Sequence, residues 1–363
     1  MTAEDRRFPC PACGANLRFA PGGDKLLCDF CGHEESLEND AAPTPLREIR
    51  LEEGLKGIGD AELEDTRITH CDTCGADIEL SDDTQATECP FCASPVVVQT
   101  NRHIKPRGVL PFILSEPEAH DAMNTWLGRL WFAPNGLKTY ARQGRKLDGV
   151  YVPFWTFDAA TTTRYTGRRG IVHTTRRRVQ RGGKTETETV RKVIWTPVSG
   201  RVHRFFDDVL VLASKALPKT FTDALPPWDL TQLEPYAPDY LAGFRAEVYT
   251  IGLEEALPDA RRQMDAQIAR DIRFDIGGDR QQISSASTEL SRQTFKHILL
   301  PVWVAAYKYR GKSYRFVVNG QTGRVRGERP WSVWKIAVAV VLGAIVLAAA
   351  FALGVTLDQT QIN

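Results

Sequence analysis

The chain has 363 residues and a mass of 40.6 kDa, enough for more than one compact unit. Its 46 Lys+Arg against 45 Asp+Glu give a formal charge of +1, which excludes both a uniformly basic nucleic-acid binder and a wholly acidic solvating chain. The balance is uneven along the sequence: residues 1–100 hold 21 acids and 8 bases, a net of −13, which leaves 24 acids and 38 bases, a net of +14, for residues 101–363.

The acidic head contains all eight cysteines, in four C-x-x-C pairs: Cys10/Cys13, Cys28/Cys31, Cys71/Cys74 and Cys89/Cys92. Shifted by 61 residues, Cys10-Pro-Ala-Cys13-Gly14 falls on Cys71-Asp-Thr-Cys74-Gly75, and Cys28-Asp-Phe-Cys31 falls on Cys89-Pro-Phe-Cys92. In each copy 14 residues separate the pairs, room for two short strands and a turn that bring two knuckles face to face around a tetrahedral Zn²⁺. Glycines 14, 32 and 75 follow a knuckle cysteine, where the backbone turns back toward sulfur; Ala93 departs from this pattern. A thioredoxin-like redox pair needs a βαβ context that is missing, and iron–sulfur clusters use other spacings. The expectation is two structural zinc ions per chain, each closed by four thiolates with no open catalytic position. Residues 1–38 form the first ribbon, 39–66 a linker with a short helical stretch, and 67–100 the second ribbon. Met1 to Arg7 is charged and has no apolar run, so no secretory signal is read and the thiols are expected to be reduced.

Residues 101–330 hold six of the eight tryptophans and no Gly/Ser-rich linker, and read as one α+β unit. A second duplication underlies it, over about 108–200 and 245–328. Val109–Leu114 is extended, Glu116–Trp131 is helical with Ala119, Met123, Trp126, Leu127 and Leu130 at helical spacing, and Val150–Phe157 is a strand carrying Pro153 and Trp155. The order recurs in extended Ala246–Ile251, helical Leu257–Ile272, and Leu299–Tyr307 with Pro301 and Trp303. Both Pro-x-Trp strands continue into polar hairpins, and their tryptophans read as core rather than as a ligand platform. Asn319–Gly323 is turn chemistry. Gly311-Lys312-Ser313 fails as a phosphate loop because Ala306 stands where its leading glycine belongs. The scattered histidines and Asp207-Asp208 form no catalytic set, so no enzymatic activity is expected.

The first hairpin is basic. Arg164, Arg168, Arg169, Arg176, Arg177, Arg178, Arg181, Lys184, Arg191 and Lys192 share it with only two acids, Glu186 and Glu188. Such a patch suits contact with anionic lipid headgroups, at on the order of 1 kcal/mol per cation near the surface, and RNA or DNA is the open alternative for this hairpin. The second ribbon has no Lys or Arg in residues 68–100, so nucleic acid is not an expected partner of the ribbons.

From Ile336 to Val355 the chain carries no charge, a length that matches a bilayer core of roughly 30 Å at helical rise. Arg324, Arg326, Arg329 and Lys335 precede this run, and residues 356–363 after it contain no base. By the positive-inside rule this predicts a tail anchor in the bacterial inner membrane, with the N-terminus and body cytoplasmic. Small residues at Ala339/Gly343 and Ala344/Ala348/Ala352 offer a helix-pairing face, and hence a route to homo-oligomers. The fold class expected is therefore multidomain: two small β zinc ribbons, an α+β domain with internal pseudo-duplication, and one C-terminal transmembrane helix.

The ribbons, Val152-Pro-Phe-Trp155, Pro227-Trp-Asp-Leu230, Tyr240-Leu-Ala-Gly-Phe244, Leu299-Leu-Pro-Val-Trp303 and the terminal apolar run resemble, over nearly the whole length, a bacterial family of membrane-anchored double zinc-ribbon proteins. Its members often carry the labels "primosomal protein N′ (replication factor Y), superfamily II helicase" or "transcription factor IIB-type zinc-binding protein". Helicase activity is rejected, because this chain has no Walker A loop and is too short for two motor domains. The resemblance implies partners of the SPFH/band-7 or phage-shock type, from membrane-stress systems. The function expected is a non-enzymatic, tail-anchored adaptor for protein partners; the alternative is a membrane-tethered nucleic-acid-binding ribbon protein.

Overall fold

The computed structural model describes residues 8–37, 46–57, 63–79, 89–92, 97–134, 147–181, 184–309, 312–328 and 331–360. The first ribbon is a three-stranded antiparallel sheet of β1 (Arg18–Phe19), β2 (Lys25–Leu27) and β3 (Glu34–Ser36). Then come β4 (Ile49–Arg50) and the short helix α1 (Leu51–Lys56), followed by the second ribbon's β5 (Leu63–His70), β6 (Asp77–Glu79) and β7 (Val97–Ile104). The body begins with β8 (Gly108–Val109) and helix α2 (Glu116–Gly128). Ser115 and Glu118 cap α2 reciprocally, the Ser115 N–H donating to Glu118 Oε2 at 2.8 Å, and Ala119, Met123 and Leu127 form its buried face.

Two strands far longer than the sequence suggests dominate the body: β9 (Asp148–Arg181) and β10 (Lys184–Leu212), which form one antiparallel hairpin. After the single-turn helix α3 (Lys219–Thr222) and short strands β11 (Glu234–Pro235) and β12 (Arg245–Val248) comes helix α4 (Leu253–Ile276). It buries Ala256, Ala260, Met264, Ile268, Ile272 and Ile276, a stripe at every fourth residue, against β9, β10 and the 30-residue strand β13 (Arg280–Tyr309). Strands β14 (Lys312–Asn319) and β15 (Val325–Gly327) and helix α5 (Val333–Thr360) complete the chain.

Strands β9 and β13 lie side by side, antiparallel, with Val152 opposite Leu300, Pro153 opposite Leu299 and Tyr151 opposite Pro301. Each is flanked in parallel by the short strand of the other half: β8 pairs β13, and β12 pairs β9. The Trp155 indole donates to Ile251 O at 2.9 Å in the second half, and Trp303 donates to Leu114 O at 3.0 Å in the first, so both tryptophans are core.

Alternation along β9 separates two cores. Tyr151 faces one cluster with Phe19, Phe112, Leu299 and Trp303, into which the first ribbon inserts. Val150 and Val152 face the other, with Leu110, Ile298, Leu300 and the second ribbon's Ile78, Cys89 and Phe91. The two ribbons thus dock on opposite faces of one sheet. The second also joins that sheet, because β6 pairs β12 with Ile78 opposite Glu247.

Two expectations of fold class are corrected. The architecture is mostly β-sheet rather than α+β, because Thr- and Val-rich runs that lack an apolar period continue as strand well past the predicted segments. Among the described residues no helix is long and apolar enough to cross a membrane, which corrects the span expected at 336–355 and, with it, the single-pass inner-membrane location. Helix α5 does form over that run, but its described side chains end at Ala349. The side chains of 350–355 lie outside the described residues, and the tail expected from 356 continues the same helix to Thr360.

Candidate metal centres and basic ribbon

Each knuckle is built from backbone geometry. In the first, Cys10 N–H donates to Ala15 O at 2.5 Å and Gly14 N–H to Cys10 O at 2.8 Å. In its 61-residue counterpart, Cys71 N–H donates to Ala76 O at 2.9 Å and Gly75 N–H to Cys71 O at 2.8 Å. Gly14 and Gly75 hold φ of 77° and 72°, the left-handed region in which a side chain is strained. Ala93, at the fourth knuckle, lies outside the described residues.

These turns gather the thiols into two groups, Cys10/Cys13/Cys28/Cys31 and Cys71/Cys74/Cys89/Cys92, each with its sulfurs within 4.8 Å of one another. Sγ separations are 3.5 Å for Cys10–Cys31 and Cys13–Cys28, 3.4 Å for Cys71–Cys92 and 3.6 Å for Cys74–Cys89. Four sulfurs at about 2.3 Å from a tetrahedral zinc stand about 3.8 Å apart, so both groups fit that ion with a slight expansion. The Cys31 N–H, with that of Phe30, draws the Cys28 thiol down to about 7, and the hydrogen bond from Cys74 draws Cys89 down to about 5. Each group thus has one thiol poised to ionise, and a divalent cation supplies the charge that lets the rest follow.

The two centres differ in surroundings. Cys13 and Cys31 of the first are exposed, whereas Cys71, Cys89 and Cys92 of the second are buried. Beside the second, Glu247 is buried and accepts from Ser214 Oγ at 2.5 Å; burial pushes its carboxyl well above the usual range.

A third group, Glu48, Asp158 and Asp207, also lies within metal-binding reach. For Glu48 and Asp158 a cation is already in place. The Lys296 ammonium stands 2.8 Å from Asp208 Oδ1, 3.2 Å from Glu48 Oε1 and 3.8 Å from Asp158 Oδ2, with its side chain 8% exposed. Asp208 therefore belongs to an ion-pair network around the buried Lys296 and Asp158, while Asp207 beside it is exposed.

The basic residues sort by register. Along β9/β10 one face carries Arg164 opposite Arg201, Arg168 opposite Pro197, Thr174 opposite Arg191, Arg176 opposite Thr189 and Arg178 opposite Thr187. Strand β13 adds Ser287, Ser285, Gln282 and Arg280 to that face, and the first acid met on it is Glu289, opposite Thr162. The other face holds Arg169, which donates to Ile276 O at the end of α4 and so is structural, and Arg177, which sits opposite Glu188. Arg181 and Lys184 pair across the end of the described ladder, and their side chains lie outside the described residues. Arg201 and Arg280 are invisible to sequence reasoning because only cross-strand register brings them beside Arg164 and Gly170.

The last residue of β9 paired to β13 is Gly170, opposite Arg280; beyond it β9 and β10 continue as a two-stranded arm. Helix α5 is rooted at the other end of β9, where Ser332 N–H donates to Phe132 O at 2.8 Å and Lys335 Nζ to Ala133 O at 2.8 Å, close to Leu147. Arm and α5 root are thus about 30 residues of strand apart, on the order of 95 Å if unbent.

The chain is 27% identical over 331 residues to an uncharacterized protein, YdjG, of Bacillus subtilis (strain 168), a match covering 91% of this chain and 92% of that one. No protein-family model matches the chain, and no solved structure matches it. The two cysteine groups fit a double zinc-ribbon protein, and that is the description the site geometry carries.

Proposed function

We propose that the protein is a non-enzymatic adaptor whose first zinc ribbon engages a protein partner. The observation that carries this reading is an asymmetry between equivalent residues. In the 61-residue repeat Phe30 corresponds to Phe91, each just before the last cysteine of its ribbon. Phe91 is fully buried and docks the second ribbon on the body, whereas Phe30 is 84% exposed. The first ribbon attaches through Phe19 instead, whose ring meets Tyr240 edge-on at 5.3 Å, leaving its Phe30 end free. The chain neighbour of Phe30, Asp29, is held by Arg18 at 2.7 Å, and Glu34 of the exposed strand Glu34–Ser36 by Lys25 at 2.7 Å. An exposed aromatic anchor beside charges that are already paired suits an apolar pocket with a polar border. Both zinc centres have four protein ligands, which favours a structural over a catalytic role.

The SPFH/band-7 or phage-shock type proteins implied by the resemblance are the first partners to test. Phe30→Ser should abolish cross-linking to the partner in cells while leaving two zinc ions bound. Retention of every cross-link in that variant would refute the reading.

A further inference from the structure

We propose that the acid-free face of the β9/β10 arm is a binding surface for the phosphodiester backbone of duplex DNA. The proposal goes beyond the adaptor reading and does not depend on it. The register from Arg164 to Arg181 runs without a bulge, so one face is continuous over that whole length. At its outer part that face presents Arg176, Arg178 and Arg191 among Thr174 and Thr189. Among the described residues none of these arginines has an acidic partner, whereas Arg177 on the reverse face is opposite Glu188. Arginine forks and threonine hydroxyls are both donors to phosphate oxygens.

The shape narrows the choice among polyanions. Past Gly170 the arm has only two strands, and a two-stranded ribbon is what the major groove of B-form DNA admits. The deep, narrow major groove of A-form RNA does not admit it. Single strands are bound on aromatic stacking platforms, and the one described aromatic ring on this face from Arg168 outward, Trp195, lies under the Arg168 guanidinium at 5.8 Å. Anionic headgroups would attract the same cations, but from Thr174 to Gln180 this face has no apolar side chain to insert among them, so such a contact would rest on charge alone. The root of α5 stands at the far end of β9, away from the arm.

The test uses the full-length, zinc-loaded chain and a fluorescein-labelled 25-base-pair DNA duplex, followed by anisotropy at several salt concentrations. The wild type should bind at about 50 mM salt, with an affinity that falls steeply as salt rises. The variant Arg176→Gln/Arg178→Gln/Arg191→Gln should weaken binding at least tenfold and flatten the log–log salt slope by up to about 2.7, roughly 0.9 for each phosphate no longer neutralised. The reverse-face variant Arg177→Gln/Lys192→Gln should change both far less. All five side chains are exposed, and zinc content together with far-ultraviolet circular dichroism confirms that each variant is folded. No wild-type binding at low salt, or equal loss in the two variants, would overturn the proposal. So would equal affinity for duplex RNA, or Arg176-dependent binding to phosphatidylglycerol vesicles in place of DNA.

Discussion

Replacing Lys296 by methionine tests whether the buried ion-pair network holds the sheet together. The substitution keeps the side chain's length but leaves Glu48, Asp158 and Asp208 facing one another without their cation. Removing one partner of a buried network typically costs about 3–5 kcal/mol, because uncompensated charge stays buried. At about 2–4 °C per kcal/mol for a domain of this size, the melting temperature should fall by roughly 6–20 °C at pH 8. The loss should depend on pH. Burial, opposed by the Asp208 N–H and the charge of Lys296, leaves Asp158 at about 6, above its ordinary 3.8. A carboxyl raised on folding binds its proton more tightly in the folded state, so its ionisation destabilises the fold as pH climbs through that window. Without the ammonium the value rises further, and protonation relieves more of the strain. Burial would push Lys296 down, yet its hydrogen bond to Asp208 and the charge of Asp158 hold it above 10.5, so the wild type keeps its cation throughout. The difference between variant and wild type should therefore shrink to about 1–2 kcal/mol by pH 5. Urea or thermal unfolding at both pH values measures it, and a loss that is absent, or the same at pH 5 and pH 8, would refute the reasoning.

Two further outcomes follow from how the ribbons sit. Chelator should remove the two zinc ions in separate phases, the faster from the centre with exposed Cys13 and Cys31; Cys13→Ser should eliminate that phase and leave one ion, and a single phase or a stoichiometry of one would contradict this. Phe19→Ala removes a fully buried ring worth about 3–5 kcal/mol of packing. It should release the first ribbon from the body, read as faster amide hydrogen exchange across Arg18–Leu27, without loss of zinc.

The two four-cysteine groups are legible in the sequence because thiol spacing and a gap-free repeat are local signals. Helices α2 and α4 are legible for the same reason, since Ala119/Met123/Leu127 and Met264/Ile268/Ile272 mark their buried faces at helical period. The length of β9 is hidden, because beyond Tyr165 its side chains face water on one side and α4 or nothing on the other, so alternation fades while strand continues. The acid-free face cannot be read at all before the register is known: Arg164, Arg201 and Ser287 are distant in sequence and become neighbours only through the ladders of three strands. The network around Lys296 is similar, joining Glu48, Asp158 and Asp208 from three separate segments. Hydropathy misleads at Ile336–Val355, where an uncharged run alone reads as a span.

The exchange of short strands between the two halves bears on how the chain is made. Gly108 finds its sheet neighbour, Ile298, about 190 residues later. A ribosome working at about 5–20 residues per second needs roughly 10–40 s to supply it. Through that interval β8 and the apolar faces of β9 lack their native cover, whereas the first zinc centre, spanning only Cys10 to Cys31, can close as soon as its four thiols emerge. Newly made protein should therefore pass through a stage with a metal-locked head and an unfinished sheet, in which exposed strands invite chaperones or mispairing with a neighbouring nascent chain.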